Sequence, residues 1–343
     1  MKALILEKYM NLTYKDVPTP EIGPDEVLVN VKACGICGSD VHGMDGSSGR
    51  RIPPVIMGHE ASGIIDQVGE NVTNWQAGDR VTFDSTIYHL DDWYSRRGHY
   101  NLSDGRKVLG VSCDDYRRYG ALAEYVAVPH HILYNIPEGV NFNQAAMVEP
   151  IAVAFHAVEL TPIAIDSAAV VVGTGMIGLS VIQALRIKGC GRIIAVDLDD
   201  QRLGLATKVG ADIALNPQSD DVPAKAKEIT NGRGADIAFE AVGMEAPVNT
   251  AIQSVRRGGT VTLLGNVTAE ISMPLQAVVT QQIRLQGSCA IANEYPAVLD
   301  MMERGRINTD VFLSKTAPLS EGGTWFKKLY DKEPGLIKVI LNP

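Results

Sequence analysis

The sequence predicts an α/β protein in which a mainly-β region is combined with a doubly wound parallel sheet. From about residue 165, short apolar runs rich in Val and Ile alternate with helical segments, a pattern typical of parallel strands covered on both faces. The region before residue 150 instead has short β-like pieces separated by Gly, Pro, Asn and Asp, which indicates irregular antiparallel structure. The chain of 343 residues also exceeds the usual size of one hydrophobic core, so two domains are expected.

Two segments depart from both patterns. After about residue 290 the alternation stops and the chain ends in the strand-like run GLIKVILNP, which we expect to return to the first domain. We therefore predict one domain from residues 1–150 and 290–343, and a second domain from residues 151–289. Residues 84–120 are rich in Arg, Asp, Tyr and Ser and lack periodicity, so we expect them to form a long surface lobe.

Composition and charge exclude several classes of protein. A hydrophobic content of 45% and a charged content of 21% are those of a soluble globular protein. The formal net charge of -9 opposes attraction to nucleic acid or anionic lipid. The N-terminus lacks the features of a secretory signal, and the most apolar stretch, residues 168–187, contains glycines that fit a buried strand and helix better than a membrane span. We expect a cytoplasmic protein that binds neither nucleic acid nor membrane.

A glycine-rich motif, GTGMIG, lies between the apolar strand AAVVV and a helical segment. Its candidate cofactor-binding residues are Gly173, Gly175, Met176, Ile177 and Gly178. Such glycines permit a tight turn and the close approach of a pyrophosphate, while the helix N-terminus supplies N–H groups. Asp197 closes the next strand, where an acid binds both hydroxyls of an adenosine ribose and repels a 2′-phosphate. The sequence therefore predicts a dinucleotide site that prefers NAD, and Arg202 either softens that preference or is a solvated helix residue.

Potential metal ligands occur in glycine-flanked loops of the first domain and just before the change of domain. They are Cys37, His59, Glu60 and Glu149. A thiolate, an imidazole and a carboxylate suit a borderline-soft divalent ion, and three protein ligands with one open position are typical of catalytic zinc. Taken singly, each residue is also explained by burial, hydrogen bonding or a helix N-terminus. Cys34 and Cys37 also spell C-x-x-C, but no thioredoxin-type context follows them.

The motifs GICGSDVH, GHEASG, the glutamate of VEP and GTGMIG, in this order, resemble those of the zinc-containing medium-chain dehydrogenase/reductase family over essentially the whole chain. The segments NLSDGRKVLG, GSC followed by EYP, and GLIKVIL resemble its sorbitol (iditol) dehydrogenase branch. The resemblance implies a GroES-like, mainly-β catalytic domain that binds zinc and includes both termini, with an inserted NAD-binding Rossmann domain. It also implies a homodimer or homotetramer built partly by edge pairing of strands from the nucleotide domain.

The resemblance further implies roles for individual residues. The implied ligands of a catalytic zinc are Cys37, His59 and Glu60, with Glu149 as an alternative or water-bridged partner. Zinc would act as a Lewis acid on the hydroxyl of a secondary alcohol or polyol, and a hydride would pass to NAD to give a ketone or ketose. Ser39 would take the substrate proton, and His42 and Glu149 would extend the relay. The alternatives are a loop hydroxyl bonded to its own backbone for Ser39 and a packing histidine for His42.

The chain departs from the family pattern in the lobe, where many relatives bind a second, structural zinc through four cysteines. The matching positions here are His89, Asp92, Ser95 and Ser103. Neutral serines are poor zinc ligands, so no four-thiolate site can form. We therefore predict one catalytic zinc per subunit and no structural zinc, with the lobe held by packing and hydrogen bonds.

A second departure concerns the substrate. Where the sorbitol dehydrogenase branch carries a Tyr and an Arg-Tyr pair, this chain has Gly43 and Ala290–Ile291, so polar contacts to a long polyol are absent or rebuilt. Arg50 and Arg51 either form a phosphate-binding pair or are two solvated loop arginines. The alternatives to an alcohol or polyol dehydrogenase are therefore a dehydrogenase of a polyol phosphate, vicinal diol or threonine-like substrate, and a nucleotide-binding structural protein without activity.

Overall fold

The computed structural model describes residues 1–113 and 117–343, which form two compact units. Unit 1 consists of Met1–Glu149 and Ile291–Pro343, and unit 2 consists of Pro150–Ala290. Residues 114–116 of the predicted lobe lie outside the described residues. In the part of the chain that the structure describes, no helix combines the length and the apolar character needed to cross a lipid bilayer.

Strands and helices alternate regularly in unit 2, whereas strands predominate in unit 1. The strands are β1 (Lys2–Lys8), β2 (Asn11–Asp16), β3 (Glu26–Gly35), β4 (Val55–Ile56), β5 (Glu60–Val68), β6 (Arg80–Phe83), β7 (Thr86–Ile87), β8 (Lys107–Val108), β9 (Tyr125–Pro129), β10 (Leu133–Asn135), β11 (Ala168–Val172), β12 (Arg192–Val196), β13 (Ile213–Leu215), β14 (Ala235–Glu240), β15 (Val255–Leu263), β16 (Arg284–Gly287), β17 (Leu313–Pro318) and β18 (Lys338–Asn342). The helices are α1 (Gly38–Gly43), α2 (Phe142–Ala146), α3 (Val148–Leu160), α4 (Met176–Lys188), α5 (Asp200–Lys208), α6 (Val222–Glu228), α7 (Glu245–Ser254), α8 (Leu275–Thr280), α9 (Tyr295–Glu303) and α10 (Gly322–Tyr330).

The main sheet of unit 1 has the strand order β10-β6-β5-β3-β18-β17, and β9 also pairs with β3. The alternating valines of β3 are buried in the core, as expected for a strand with one face against it. β3 runs antiparallel to both β5 and the C-terminal strand β18. In this register Gly35, the last residue of β3, lies opposite Glu60 on one side and Ile340 on the other. The end of β3 therefore lies between the start of β5 and the C-terminal strand β18, which are distant from it in sequence.

The sheet of unit 2 is parallel throughout, with the order β13-β12-β11-β14-β15-β16. The first strand, β11, lies at the centre, where the strand order reverses, and all five of its residues are buried. A fully buried strand explains the uninterrupted apolar run AAVVV. In sheets of this kind ligands bind beyond the carboxyl ends of the strands at the point of reversal. The predicted doubly wound sheet is confirmed.

The lobe contains the two-stranded pair β7 and β8 and a hydrogen-bonded cluster around Asp92. The Asp92 carboxylate accepts hydrogen bonds from the backbone N–H of Tyr94 at 2.6 Å and of Ser95 at 3.0 Å, and from both the Ser95 and Ser103 hydroxyls. Ser103 Oγ also accepts from the His89 N–H at 3.3 Å. Desolvation alone would raise the pKa of Asp92, but these hydrogen bonds lower it to about 2. Hydrogen bonds thus connect the four positions where many relatives carry cysteine.

Candidate active site

The side chains of Cys37, His59 and Glu60 come together in unit 1. Pairing of β3 with β5 brings the loop after β3 beside the start of β5. Cys37 lies in that loop as the N-cap of α1, and His59 precedes Glu60, the first residue of β5. One potential ligand atom from each of the three side chains lies within 4.8 Å of the other two. Within residues 1–113 and 117–343, no other group of three such side chains reaches this spacing.

Two glycines make room for this arrangement. A Cβ at Gly35 would lie 2.3 Å from Glu60 Oε2, so a larger residue would displace the carboxylate. Gly58 has φ +94°, which disfavours other residues, and a Cβ there would also lie 2.9 Å from Cys34 Sγ. The glycine flanks that marked these loops in the sequence therefore have a steric function.

Lys338 holds one oxygen of the Glu60 carboxylate. Its Nζ lies 2.6 Å from Glu60 Oε2 and also donates to the carbonyl of Ile36 at 3.1 Å. Burial alone would lower the pKa of Lys338, but attraction to Glu60 and Cys37 raises it above its usual value. Glu60 Oε1 is buried and has no hydrogen-bond partner among the described residues. Lys338 was not predicted from the sequence, although a lysine within the apolar run GLIKVIL was a signal for it.

Asp40 and Arg51 form a buried ion pair beside His59. Arg51 Nε and Nη2 both donate to Asp40 Oδ1, at 2.9 and 2.7 Å. Asp40 Oδ2 lies 3.4 Å from His59 Nδ1. This separation is within the range of an ion pair, but the two atoms do not form a hydrogen bond. The carboxylate and the imidazole are therefore in contact, without a hydrogen bond between these two atoms. Arg51 is only 3% exposed, so the expectation of two solvated arginines is wrong for Arg51, whereas Arg50 is exposed.

The two residues assigned to a proton relay differ in their surroundings. Ser39 Oγ donates to Cys37 Sγ at 3.2 Å and accepts from Arg51 Nη2 at 3.2 Å. The His42 imidazole is exposed on α1, and no side-chain hydrogen bond of His42 is seen among the described residues. The structure therefore brings Ser39, but not His42, into contact with the candidate ligands.

Glu149 lies near the three ligands but outside the group that they form. Its Oε1 accepts a hydrogen bond from the hydroxyl of Ser85 at 3.0 Å. Burial raises the pKa of Glu149 to about 8; attraction to His59 lowers it, and repulsion from Glu60 and Cys37 adds to the increase. Ser85 carried no signal in the sequence, because a serine in an irregular lobe has many ordinary uses.

The three side chains fit a zinc ion. Burial raises the pKa of the Cys37 thiol to about 12, and the Glu60 carboxylate adds to that increase. A divalent cation would supply the missing positive charge and allow the thiolate to form. A thiol, an imidazole and a carboxylate with an unpartnered buried oxygen form a donor set of the kind that zinc prefers.

The GTGMIG motif forms the turn between β11 and α4. Gly173 has φ +91°, and a Cβ at Gly178 would lie 1.8 Å from the Gly173 carbonyl oxygen, so the helix can approach the strand only with glycine there. Gly175 is the N-cap of α4 and has open space around its Cα. Met176 and Ile177 form the first turn of α4. The N–H groups of this turn are available to a phosphate.

Asp197 follows β12 and is held by the motif itself. Its Oδ2 accepts from the Thr174 N–H at 2.7 Å and from the Thr174 hydroxyl at 3.0 Å, and its Oδ1 accepts from the Asp199 N–H at 3.1 Å. Arg202 Nε lies 3.7 Å from Asp199 Oδ2. Thr174 was not singled out in the sequence, although it lies inside the motif, because its position is variable in such fingerprints.

Comparison with known proteins gives matches over both units. Residues 23–138 match the family model described as alcohol dehydrogenase GroES-like domain, and residues 177–304 match the model described as zinc-binding dehydrogenase. Sorbitol dehydrogenase of Bacillus subtilis is 31% identical over 347 residues, covering 100% of this chain and 97% of the relative.

Two solved structures are similar to this chain over its whole length. That of 2R,3R-butanediol dehydrogenase from Bacillus subtilis is 32% identical with a TM-score of 0.89, covering 100% of this chain and 99% of the other. A zinc-binding dehydrogenase from Sinorhizobium meliloti bound to NADP is 30% identical with a TM-score of 0.90, again covering 100% and 99%. The GroES-like and Rossmann assignments are confirmed, and the alternative of a protein without enzymatic activity is not supported. The chain belongs to the zinc-containing medium-chain dehydrogenase/reductase family and is similar to its sorbitol dehydrogenase branch.

Proposed function

We propose that the chain uses zinc and NAD to oxidise a polyol or related secondary alcohol to the ketose or ketone. The observation that carries the proposal is the convergence of Cys37, His59 and Glu60 in a chain similar to a sorbitol and a butanediol dehydrogenase. A zinc ion held by these side chains would supply a Lewis acid for the substrate oxygen, and NAD would accept the hydride. Glu60 is proposed as the direct ligand because Glu149 lies outside the three-residue group.

The chain's own residues would manage the proton of the substrate hydroxyl. Ser39 is exposed, and its hydroxyl already lies 3.2 Å from Cys37 Sγ, so a proton at Oγ can exchange with water. His42 is exposed on the same helix and would serve only in exchange with solvent. Glu149, with its pKa raised to about 8, can hold a proton at neutral pH while Ser85 fixes its orientation.

A preference for NAD over NADP is part of the proposal. Asp197 is held in place by Thr174, and the neighbouring Asp199 adds a second negative charge that would oppose a 2′-phosphate. Arg202 lies toward Asp199, which supports the interpretation that it does not serve a phosphate. A ratio of kcat/KM values above ten in favour of NAD would support this preference, and a ratio below one would refute it.

One zinc per chain is also proposed, since the lobe positions are joined by Asp92 hydrogen bonds rather than by thiolates. Metal analysis of the purified chain should give one tightly bound zinc.

Assembly as a homodimer or homotetramer in the cytoplasm is proposed as well. β16 is an edge strand among the described residues, and Leu275 and Val279 of the preceding helix are 61% and 69% exposed. Sedimentation of the full chain tests the assembly.

The decisive experiment is a substrate screen with the zinc-loaded chain. Sorbitol and other polyols, polyol phosphates, 2,3-butanediol and threonine would be tested with NAD, following absorbance of the reduced cofactor. We expect activity with an unphosphorylated polyol or vicinal diol, and loss of activity in Cys37→Ser. If a chain with one zinc bound reduces NAD with none of the alcohols, the proposal is refuted; activity confined to phosphorylated polyols would change the substrate class.

A further inference from the structure

We propose that Arg51 is a positioning residue of the metal centre, which directs Asp40 toward His59 and fixes the Ser39 hydroxyl beside Cys37. The inference rests on the proposed zinc site, but not on the identity of the alcohol. The sequence suggested either a phosphate-binding pair or two solvated loop arginines, and the burial and partners of Arg51 give it a different role.

The guanidinium of Arg51 joins two parts of the site. Nε and Nη2 both donate to the same oxygen of Asp40, Oδ1, and Nη2 also donates to Ser39 Oγ at 3.2 Å. Asp40 is fully buried and Arg51 nearly so, and the pair is therefore shielded from competing water. One planar group thus fixes the orientation of a carboxylate and of a hydroxyl at the same time.

The orientation of Asp40 determines what His59 can do. Because Oδ1 is occupied by two donors of Arg51, Oδ2 is the oxygen that faces His59 Nδ1, at 3.4 Å. A carboxylate beside Nδ1 favours the tautomer with a proton on that nitrogen, which leaves the lone pair of Nε2 for a metal. Neither Asp40 Oδ2 nor His59 Nδ1 has a hydrogen-bond partner among the described residues, so no other group competes for the contact between them. Releasing Oδ1 would allow the carboxylate to rotate away.

Gly43 provides an independent observation. A Cβ at this position would lie 2.3 Å from Arg51 Cγ and 3.2 Å from Arg51 Cβ, which belong to the stiff base of the side chain. Where the sorbitol dehydrogenase branch carries a Tyr, this chain therefore has the one residue that lets Arg51 enter the site. Gly43 makes no polar contribution and does not have a positive φ, so an alanine there would disturb Arg51 through volume alone.

Lysine cannot replace Arg51 in this role. Three hydrogen bonds from two nitrogens of one rigid plane reach two acceptors, whereas an ammonium is a single point of charge on a flexible stem. Arg51→Lys keeps the charge that neutralises Asp40 and loses the geometry. Gly43→Ala keeps every polar group and displaces the arginine.

The test measures zinc affinity and the surroundings of the metal in the full-length chain. The dissociation constant for zinc would be measured by competition with a chromogenic chelator at a single pH. The visible absorption spectrum of the cobalt-substituted chain would report a change in ligand geometry. We expect both Arg51→Lys and Gly43→Ala to weaken zinc binding by about 10–100-fold and to change the cobalt spectrum. Arg304→Lys is the matched control, because Arg304 also pairs with an aspartate through Nη2 but is exposed at the C-cap of α9.

The results for these variants test the positioning role of Arg51 independently of the proposed oxidation of a polyol. Wild-type zinc affinity and an unchanged cobalt spectrum in Arg51→Lys and Gly43→Ala would overturn the positioning role, whatever the substrate screen gives. Weakened zinc binding in both variants would support it even if the wild-type chain oxidised no polyol. If Arg51→Lys does not fold, Gly43→Ala decides; global unfolding of both in the absence of zinc would also overturn the proposal, by assigning Arg51 to the stability of unit 1.

Discussion

Replacement of Lys338 by Met is expected to destabilise the zinc-free chain strongly and the zinc-loaded chain much less. The ammonium lies 2.6 Å from Glu60 Oε2, and the two side chains are 4% and 1% exposed. Methionine fills a similar volume without charge, so the substitution removes the cation with little change in packing. What remains is a buried carboxylate whose other oxygen, Oε1, already lacks a partner.

The size of the loss in stability depends on whether the buried Glu60 carboxylate stays charged or takes a proton. Removing one partner of a buried ion pair costs about 3–5 kcal/mol. A buried acid can instead take a proton, which for an ordinary glutamate costs about 4 kcal/mol at pH 7 and therefore limits the loss. We expect the free energy of unfolding of the zinc-free chain to fall by about 3–4 kcal/mol. With zinc beside Glu60 the counter-charge is restored, and the loss should shrink to about 1 kcal/mol, the worth of the lost hydrogen bonds.

Urea unfolding of the full chain, once with a chelator and once with excess zinc, measures both values. Lys32→Met is the matched control, since Lys32 is exposed on the adjacent strand β3 and should lose little under either condition. The double variant Glu60→Gln/Lys338→Met should recover most of the zinc-free loss, because it leaves no uncompensated charge. An equal loss with and without zinc, or a loss no larger than that of Lys32→Met, would refute the reasoning.

Three further predictions concern the ionisation of Asp84, the protons released when zinc binds, and the support of the lobe by Ser103. Burial raises the pKa of Asp84 to about 7, above its value in the unfolded chain, so the stability that its protonated form contributes is complete below about pH 4 and is lost as the pH rises to about 7. Asp84→Asn should flatten this decline by up to about 4 kcal/mol in urea titrations across that range. The thiol of Cys37, with its pKa raised to about 12, must lose its proton when zinc binds. Calorimetry in buffers of different ionisation enthalpy should therefore show about one proton released at pH 7 and an affinity that rises with pH. Ser103→Ala should cost about 1 kcal/mol, because the buried hydroxyl bonds to Asp92, and should speed hydrogen exchange in the lobe; exchange at the wild-type rate would count against the Asp92 cluster as its support.

The elements that could be predicted from the sequence carry their signal locally. The parallel sheet was visible because buried parallel strands are uninterrupted apolar runs, as in AAVVV of β11. Cys37 and His59 stood out because each lies in a short glycine-flanked motif, and the structure shows that Gly35 and Gly58 are required by nearby atoms. In both cases the physical constraint lies within a few residues of the feature that it marks.

The residues that were missed depend on partners that are distant along the chain. Lys338 can be buried because Glu60, 278 positions earlier, accepts a hydrogen bond from its ammonium group. Ser85 contacts Glu149 across 64 positions. Arg51 was named in the sequence, but its buried partner Asp40, 11 positions earlier, was not predicted. A charged residue is normally solvated, so a sequence interpretation places a lone arginine or lysine at the surface unless the partner is already known.

Arg51 and Lys338 are buried cations that each bind one oxygen of a buried acid, and this arrangement connects the stability of the fold to the metal site. Arg51 occupies one oxygen of Asp40 and Lys338 one oxygen of Glu60, while Asp40 Oδ2 and Glu60 Oε1 have no hydrogen-bond partner among the described residues. Buried ion pairs stabilise a fold less than apolar packing of the same volume, and a half-satisfied carboxylate costs more still. This cost would be offset in the zinc-bound state, because the unpartnered oxygen of Asp40 faces the zinc ligand His59 and Glu60 is itself one of the ligands. Zinc occupancy should therefore contribute directly to the stability of unit 1, and the same cations that hold the acids in place should determine how tightly zinc binds.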